Sequence, residues 1–339
     1  MPASPQLDTL DDIRRMMERL PGPDLEAGEA AEAREPQLTK PPGSLGQLEK
    51  LSRWLAEWQG RHPPTMTNAH AHVFAGNHGV TAQGVSAYPA EVTHQMVANF
   101  EAGGAAINQI CKTFDIELAV DALDLDTPTA DFTQGAAMSE EECVTAIRRG
   151  MAAVEPGMDI LCLGEMGIGN TTTAAAICHA LYGGDAAGWT GPGTGISGEA
   201  MTAKARVVAD AVRLHADADG LDVMRCVGGR ELAAIAGAVI AARQLRVPVL
   251  LDGYVSTAAA AVLEAALPGS LNHCRVGHAS TEPGHLKLLE ALGHRPLLEM
   301  DMRLGEASGA ALAVGLLRAA CNCHSGMATF AEAGVTDKD

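Results

Sequence analysis

The chain of 339 residues has no excess of basic residues. It carries 24 lysines and arginines against 42 aspartates and glutamates, which gives a formal net charge of -18 at pH 7. This balance disfavours nucleic acid and anionic membrane surfaces as partners, because both would repel an acidic protein. A small phosphorylated ligand is not disfavoured, since it needs only a local site.

Long apolar runs and an N-terminal targeting signal are also missing. The apolar helix candidates are too short or too interrupted to span a bilayer, and the N-terminus has no basic segment followed by an apolar one. The sequence therefore predicts no membrane-spanning segment and, by default, a cytoplasmic location.

The cysteines lack the spacing of a metal site. Eight cysteines are scattered along the chain without a C-x-x-C pair. Most of them lie in apolar segments, which indicates buried, reduced thiols. Cys321, Cys323 and His324 form a C-x-C-H group, but no second cluster at ligand spacing accompanies it. We expect neither a metal nor a cofactor.

Several common catalytic motifs are absent. The sequence has no H-E-x-x-H segment, no G-x-S-x-G elbow before a helix and no G-x-G-x-x-G pattern in the first βα turn. Gly164 and Gly169 have the spacing of a P-loop, but Asn170 stands where that motif requires lysine. Hydrolysis of a nucleoside triphosphate is therefore disfavoured.

A strand, a glycine-rich turn and a helix are present between residues 158 and 182. The apolar run 160–163 predicts a buried strand, glycines follow it, and residues 171–177 lead into an alanine-rich helix. Glycines let a ligand approach the backbone, and free N–H groups at a helix start attract anions. Glu165 in the turn indicates a ligand with a polar or basic part beside its phosphate. A tight turn whose glycines serve only packing is the alternative.

Strands and helices alternate between residues 70 and 320. This alternation predicts an α/β fold, a doubly wound and mostly parallel sheet with helices on both faces. A closed barrel is the structural alternative. We expect a small helical domain over residues 1–65, joined by helices from about 310–339, beside an α/β catalytic domain at 66–309. Ligands in such sheets bind beyond the carboxyl ends of the strands, where the polar loops converge.

Two helix starts have a capping box, and a third has a single candidate cap. Ser139 with Glu142, and Ser44 with Gln47, have the spacing at which two side chains cap each other's backbone N–H groups. Asp8 is the candidate N-cap of the first helix.

The loops after the predicted strands carry the residues that could perform chemistry. A phosphate-binding turn combined with carboxylates suits transfer at a sugar carbon, where a carboxylate acts as a general base or stabilises an oxocarbenium-like centre. Structural roles are the alternatives: a histidine bonded to its own loop, an aspartate capping the following helix, a lysine facing solvent. The residues concerned are Glu165, Asp252, Glu306, His78, His278 and Lys204.

Eight segments together resemble one family, nicotinate-nucleotide–dimethylbenzimidazole phosphoribosyltransferase. They occupy most of residues 40–316 in the family's order. The resemblance implies a Rossmann-like parallel sheet, a small helical domain built from both chain ends, and a homodimer. The segments are KPPGSLGQLE, AGNHGVTAQGVSAYPAEVT, LGEMGIGNTTTAAA, GPGTGI, GGRELAAIAGA, VPVLLDGYVSTAAA, GHASTEPGH and DMRLGEASGAALA.

The resemblance also implies a reaction. The phosphoribosyl group of nicotinate mononucleotide moves to 5,6-dimethylbenzimidazole, which yields α-ribazole 5′-phosphate and nicotinate with inversion at the anomeric carbon. This product is part of the lower ligand of cobalamin. The alternatives are a nicotinate-nucleotide hydrolase, and a non-catalytic nucleotide- or benzimidazole-binding protein on the same scaffold.

Residue roles follow from the resemblance. Glu306 is the general base that takes the benzimidazole proton, Glu165 is a second carboxylate near the base and ribose, and Asp252 lies near the sugar. Tyr88, Met96, Met166 and Leu304 line the base pocket. The phosphate and ribose are held by Gly167, Gly169, Asn170, Thr171, Gly193, Thr194, Gly195, Lys204, Ser280 and Thr281.

One position departs from the family pattern. Asn77 stands where many relatives have aspartate before His-Gly-Val. We therefore leave Asn77 and His78 outside the predicted catalytic set.

Overall fold

The computed structural model describes residues 7–336. Its centre is an open sheet of six parallel strands with helices on both faces, which confirms the doubly wound α/β prediction. In chain order the strands are β1 (Ala69–Ala75), β2 (Glu117–Ala122), β3 (Ile160–Met166), β4 (Val249–Leu251), β5 (Cys274–His278) and β6 (Pro296–Leu298). They lie in the order β2-β1-β3-β4-β5-β6, so β2 and β6 are edges and no barrel closes.

Helices fill the segments between the strands and extend the chain at both ends. No helix among residues 7–336 has the length and apolar character needed to cross a membrane. In chain order the helices are α1 (Leu10–Met17), α2 (Leu25–Arg34), α3 (Gln47–Gln59), α4 (Glu91–Glu101), α5 (Ala106–Thr113), α6 (Glu140–Ala152), α7 (Asn170–Tyr182), α8 (Glu199–Leu214), α9 (Gly220–Val227), α10 (Arg230–Gln244), α11 (Tyr254–Ala266), α12 (Pro283–Leu292), α13 (Ser308–Gly326) and α14 (Phe330–Ala333).

One face of the sheet is covered by closely packed helices. On α10, a Cβ added to Gly237 would lie 1.9 Å from the carbonyl oxygen of Ile147, and one added to Gly150 on α6 would lie 1.8 Å from that of Ala234. The two helix backbones therefore touch, and only glycine fits between them. The side chains of α1 join the same core as those of β3 and α10.

The other face is covered by helices from both ends of the chain. Trp54 and Trp58 of α3 pack in one core with Val314 and Leu317 of α13 and with Ile160 of β3. Both terminal regions thus share their cores with the sheet. A separate helical domain over residues 1–65 and about 310–339 stays a prediction.

The helix starts bear out one capping prediction of three. Ser139 and Glu142 cap α6 reciprocally, with N–H to side-chain distances of 2.8 and 3.1 Å. The predicted Ser44–Gln47 box is wrong, because the N-cap of α3 is Gly46 at φ 55°, which has no side chain to accept a bond. The Asp8 prediction is wrong by one residue, since Thr9 caps α1.

Candidate active site

The carboxyl ends of the strands surround a cavity. The chain passes from β1 outward to β2 and returns to β3 on the other side of β1, so the connections after β1 and β3 diverge. Ligands bind at such points in open α/β sheets. The cavity holds about 260 Å³ and is lined by the segments that follow β1, β3, β4, β5 and β6.

Most of the predicted site residues lie on the wall of this cavity. They come from loops far apart in the chain, which the parallel sheet brings to one edge. The predicted residues on the wall are Tyr88, Glu165, Met166, Gly167, Gly169, Asn170, Thr171, Gly193, Thr194, Ser280 and Leu304. Those off the wall are Met96, Gly195, Lys204, Asp252, Thr281 and Glu306.

Glu165 lies near the end of β3 and is 8% exposed. Its carboxylate accepts a hydrogen bond from the side-chain amide of Asn170. Burial, followed by the nearby charges of Glu231 and Asp252, raises the pKa of Glu165 well above its usual range. The surroundings of Glu165 therefore favour its protonated form more than those of an exposed glutamate do.

Glu306 lies directly behind the wall, next to Gly305. Its N–H donates to the carbonyl oxygen of Glu165 at 3.3 Å. Both Glu306 and Ala307 have left-handed backbones, at φ 63° and 62°. Such a conformation costs roughly 1–3 kcal/mol in a non-glycine residue and persists where surrounding structure enforces it.

The charge state of Glu306 suits a base. Burial, followed by the charge of Asp252, raises the pKa of Glu306 to about 7. A carboxylate that titrates near neutral pH combines a useful ionised fraction with basicity sufficient for proton transfer. Gly305 brings Glu306 close to Glu165, because a Cβ at Gly305 would lie 2.6 Å from Oε1 of Glu165.

A buried cation lies beside the glycine-rich turns. Lys204 is 1% exposed, which excludes the solvent-facing alternative. Its Nζ donates to Oγ1 of Thr171 at 2.7 Å and to the carbonyl oxygen of Gly191 at 3.0 Å. Burial lowers the pKa of Lys204 to about 8, which leaves it mostly charged at neutral pH. Lys204 therefore places a positive charge beside Thr171, which lines the cavity. This charge favours the binding of an anion there.

Asp252 is buried and bonded to backbone. Its Oδ1 accepts the N–H groups of Gly309 at 2.7 Å and Ala310 at 2.9 Å, at the first turn of α13. Asp252 thus caps the last long helix and not the following helix α11, whose N-cap residue is Gly253. It does not line the cavity.

The other predicted residues off the wall lie around it. Met96 of α4 packs against the same core as Met166. Gly195 is exposed at φ 116°, in the loop that carries Gly193. Thr281 is exposed, and its N–H donates to the carbonyl oxygen of Met302 at 3.1 Å.

His278, Glu282 and Arg303 are among the wall residues that were not in the predicted set of binding residues. His278 ends β5, and neither of its ring nitrogens has a hydrogen-bond partner among the described residues. Oε1 of Glu282 accepts the N–H of Gly193 at 2.9 Å, and Arg303 donates to the carbonyl oxygen of Gly193 at 2.9 Å. The segments GHASTEPGH and DMRLGEASG contain these residues, but only the fold shows that both charged groups meet one glycine.

His78 bonds outside its own loop. Its Nε2 lies 2.5 Å from Oε1 of Glu231, and its Nδ1 lies 3.2 Å from Oγ1 of Thr173. The neighbouring Asn77 donates from its side-chain amide to the carbonyl oxygen of Leu125 at 3.0 Å. The side chains of Asn77 and His78 thus connect the loop after β1 to Leu125, Glu231 and Thr173 by hydrogen bonds.

The surroundings of the cysteines and of His324 indicate structural roles. All eight cysteines are free, and every one except the half-buried Cys323 is buried. His324 lies 2.7 Å from Oε1 of Glu35 and 2.9 Å from the ring of His62. Among residues 7–336, no group of three or more histidine, cysteine, aspartate or glutamate side chains has the arrangement of a metal site.

Comparison with protein families gives one match along nearly the whole chain. The model described as "Phosphoribosyltransferase" matches residues 20–335. A Ruegeria sp. (strain TM1040) protein named nicotinate-nucleotide–dimethylbenzimidazole phosphoribosyltransferase is 58% identical over 333 residues, which cover 98% of this chain and 99% of that protein. A Rhizobium leguminosarum bv. trifolii protein of the same name is 58% identical over 331 residues, 97% of this chain and 98% of its own.

Solved structures share the fold. The crystal structure of CobT from Thermus thermophilus has a TM-score of 0.86 and 43% sequence identity, and covers 92% of this chain and 100% of its own. A second structure from the same organism, named as the nucleotide–dimethylbenzimidazole phosphoribosyltransferase, has a TM-score of 0.84 and 42% identity, and covers 93% of this chain and 100% of its own.

Proposed function

The chain belongs to the nicotinate-nucleotide–dimethylbenzimidazole phosphoribosyltransferase family, and we propose from its site that it catalyses the reaction of that name. It transfers the phosphoribosyl group of nicotinate mononucleotide to 5,6-dimethylbenzimidazole. The products are α-ribazole 5′-phosphate, for the lower ligand of cobalamin, and nicotinate. The observation that carries the proposal is the pair Glu165 and Glu306, joined by a backbone hydrogen bond, of which Glu165 lines the cavity and Glu306 lies directly behind its wall.

We assign the two carboxyl groups different tasks. A ring nitrogen of the benzimidazole forms the new bond to the anomeric carbon, and the bond from that carbon to nicotinate breaks. Nicotinate leaves with the electron pair of the broken bond, and Glu306 takes the N–H proton of the benzimidazole. Direct displacement inverts the anomeric carbon without a covalent intermediate. Glu165 is assigned a hydrogen bond to the substrate, and its raised pKa favours the protonated form as the donor.

The nucleotide phosphate is assigned to the positive side of the cavity. Lys204 supplies the charge, Thr171 and Gly193 supply hydrogen-bond donors, and the start of α7 faces the anion. Gly167, Gly169, Asn170, Thr194 and Ser280 complete this part of the wall.

The acceptor base is assigned to the apolar side. Met166, Tyr88 and Leu304 line the cavity there, and Met96 of α4 packs against the same hydrophobic core as Met166. A dimethylated bicyclic base needs apolar contact rather than a charged anchor.

Chromatography of the reaction mixture tests the proposal. Purified protein is incubated with nicotinate mononucleotide, with and without 5,6-dimethylbenzimidazole. We expect nicotinate only when the base is present, in equal amount with an α-ribotide. Release of nicotinate without the base would refute the transferase and indicate the hydrolase. Binding without turnover would indicate a non-catalytic binding protein.

The assembly and location expected from the sequence are further proposals. A homodimer is consistent with Tyr88 and Leu304, which are 54% and 57% exposed at the cavity. Light scattering after size-exclusion chromatography tests the dimer. Cell fractionation tests the cytoplasmic location.

A further inference from the structure

Two buried, oppositely charged side chains bind the backbone of one loop. Nζ of Lys204 donates to the carbonyl oxygen of Gly191, and Oε1 of Glu282 accepts the N–H of Gly193. Lys204 is 1% exposed and Glu282 is 4% exposed. The structure contains no ion pair between them within the described residues. Each charge is therefore compensated partly by the other across the loop and partly by a hydrogen bond to the loop backbone.

The Glu282 carboxylate lies tightly against this loop. A Cβ added to Gly191 would lie 1.9 Å from Oε2 of Glu282, so a larger residue at that position would require the Glu282 side chain to move. Oε2 has no hydrogen-bond partner among residues 7–336. Arg303 donates a hydrogen bond to the carbonyl oxygen of Gly193. One carboxylate oxygen is thus bonded and the other is left unsatisfied.

The phosphate assigned above needs donors that lie in the same place. A Cβ added to Gly193 would lie 2.5 Å from Oγ1 of Thr171 and 3.1 Å from Nζ of Lys204, which shows how close the three groups are. An anion bound by Lys204 and Thr171 therefore reaches the N–H of Gly193. That N–H is occupied by a carboxylate, and two negative groups at such a distance repel each other strongly.

We propose that Glu282 occupies the Gly193 N–H in the free protein as a stand-in for the substrate phosphate, and that the phosphate displaces it on binding. This inference rests on the proposed function, because it takes the Lys204 site as the phosphate site. Glu282 sets the affinity for the phosphorylated substrate: the carboxylate keeps the loop ordered before binding and weakens the binding of any anion.

The charges around Glu282 decide how this competition depends on pH. Burial raises the pKa of Glu282, while Lys204 of α8, the Gly193 N–H and Arg303 act in the opposite direction. On its own segment, the N–H of Glu282 donates to Oγ of Ser280 at 3.3 Å. Protonated Glu282 does not repel a phosphate, so the competition weakens as the pH falls through the pKa of this carboxyl.

Calorimetric titration with nicotinate mononucleotide tests the inference. Glu282→Gln keeps an oxygen for the Gly193 N–H and removes the charge. At about pH 7 we expect this variant to bind about tenfold more tightly than the unmodified protein, and at about pH 5 we expect the difference to shrink. Glu199→Gln is the control, because Glu199 is an exposed carboxylate at the start of α8. Its affinity should equal that of the unmodified protein.

A second substitution separates this inference from the function on which it rests. Lys204→Met removes the charge assigned to the phosphate and should weaken binding at least tenfold. If Lys204→Met weakens binding but Glu282→Gln does not strengthen it, the phosphate site stands and the role of Glu282 is wrong. If neither substitution changes the affinity, the phosphate binds elsewhere and both assignments are wrong. Thermal melting of each variant verifies that it is folded.

Discussion

Two glycine-rich segments meet at the cavity, and one glycine in each, Gly164 and Gly195, is required for a different reason. In the inner segment, residues 164–170, a Cβ at Gly164 would lie 1.9 Å from the backbone nitrogen of Ala307. In the outer segment, residues 191–198, Gly195 has φ 116° and no heavy atom within 4 Å of an added Cβ. Gly164 permits close packing against the backbone of Ala307, whereas Gly195 permits a backbone conformation with positive φ. Similar composition therefore does not show which physical requirement a given glycine meets.

The largest expected effect concerns the turn on which the inner segment is packed. Glu306→Gln keeps the shape of the side chain and removes the proton acceptor, so kcat should fall roughly 10²- to 10⁴-fold. Stability should be unchanged or slightly higher, because a buried charge near Asp252 is removed. Steady-state kinetics and a urea titration measure both. Glu299→Gln, an exposed neighbour, is the control. An undiminished kcat for Glu306→Gln would refute the general-base assignment.

Gly164→Ala should damage folding more than Gly195→Ala in the outer segment. The added methyl group would overlap backbone of the Glu306–Ser308 turn, and overpacking against backbone costs about 3 kcal/mol or more. The free energy of unfolding from urea titration measures this loss. A Gly164→Ala variant as stable as the unmodified protein would contradict this prediction. It would show that the backbone at Gly164 and at Ala307 can move apart at little cost in free energy.

The pH dependence of kcat/KM should have two limbs. A group beside the inner segment should control the acid limb, and a group beside the outer segment should control the alkaline limb. Glu306, beside the inner segment, must be deprotonated to act as a base, so kcat/KM should rise with pH until about 7. Lys204, beside the outer segment, must be protonated to hold phosphate, so kcat/KM should fall above about 8. Each limb should approach a tenfold change per pH unit. Glu306→Gln should flatten the acid limb alone; a profile in which it flattens the alkaline limb would reverse the assignment.

Gly195→Ala should have the smallest effect. There is space for the methyl group, but φ 116° is unfavourable for alanine, at a cost of about 1 kcal/mol. We expect KM for nicotinate mononucleotide to rise a few-fold, with kcat and the urea midpoint nearly unchanged. A loss of stability equal to that of Gly164→Ala would remove the distinction between the segments.

The fold was predictable because its signals are local. Buried strands, helix periodicity and the Ser139–Glu142 capping box each depend on a few neighbouring residues, and the structure has the parallel sheet that they predict. The failures are also informative. The Ser44–Gln47 pattern fits a capping box, yet Gly46 begins the helix and Glu49 accepts the N–H of Leu45 at 3.0 Å. A short pattern cannot show which of two nearby carboxyl or amide groups the backbone reaches.

The site was predictable only in part because its partners are distant in sequence. Motifs pointed to Glu165, Glu306 and Lys204, and their burial and polar surroundings agree with functional roles. Motifs did not show that Asp252 caps a helix that begins at residue 308, or that Glu282 and Arg303 both bind Gly193. Such contacts depend on how five strand ends are brought together, which no single segment specifies.

The cap that Asp252 provides has a consequence for biosynthesis of the protein. During translation, β1 to β5 leave the ribosome before the segment that contains Glu306 and the start of α13. Until that segment arrives, the Asp252 carboxylate lacks the two N–H groups that stabilise it, and the sheet edge lacks Glu306. The nascent chain therefore acquires the backbone partners of Asp252 and the proposed base together, in one late step of folding.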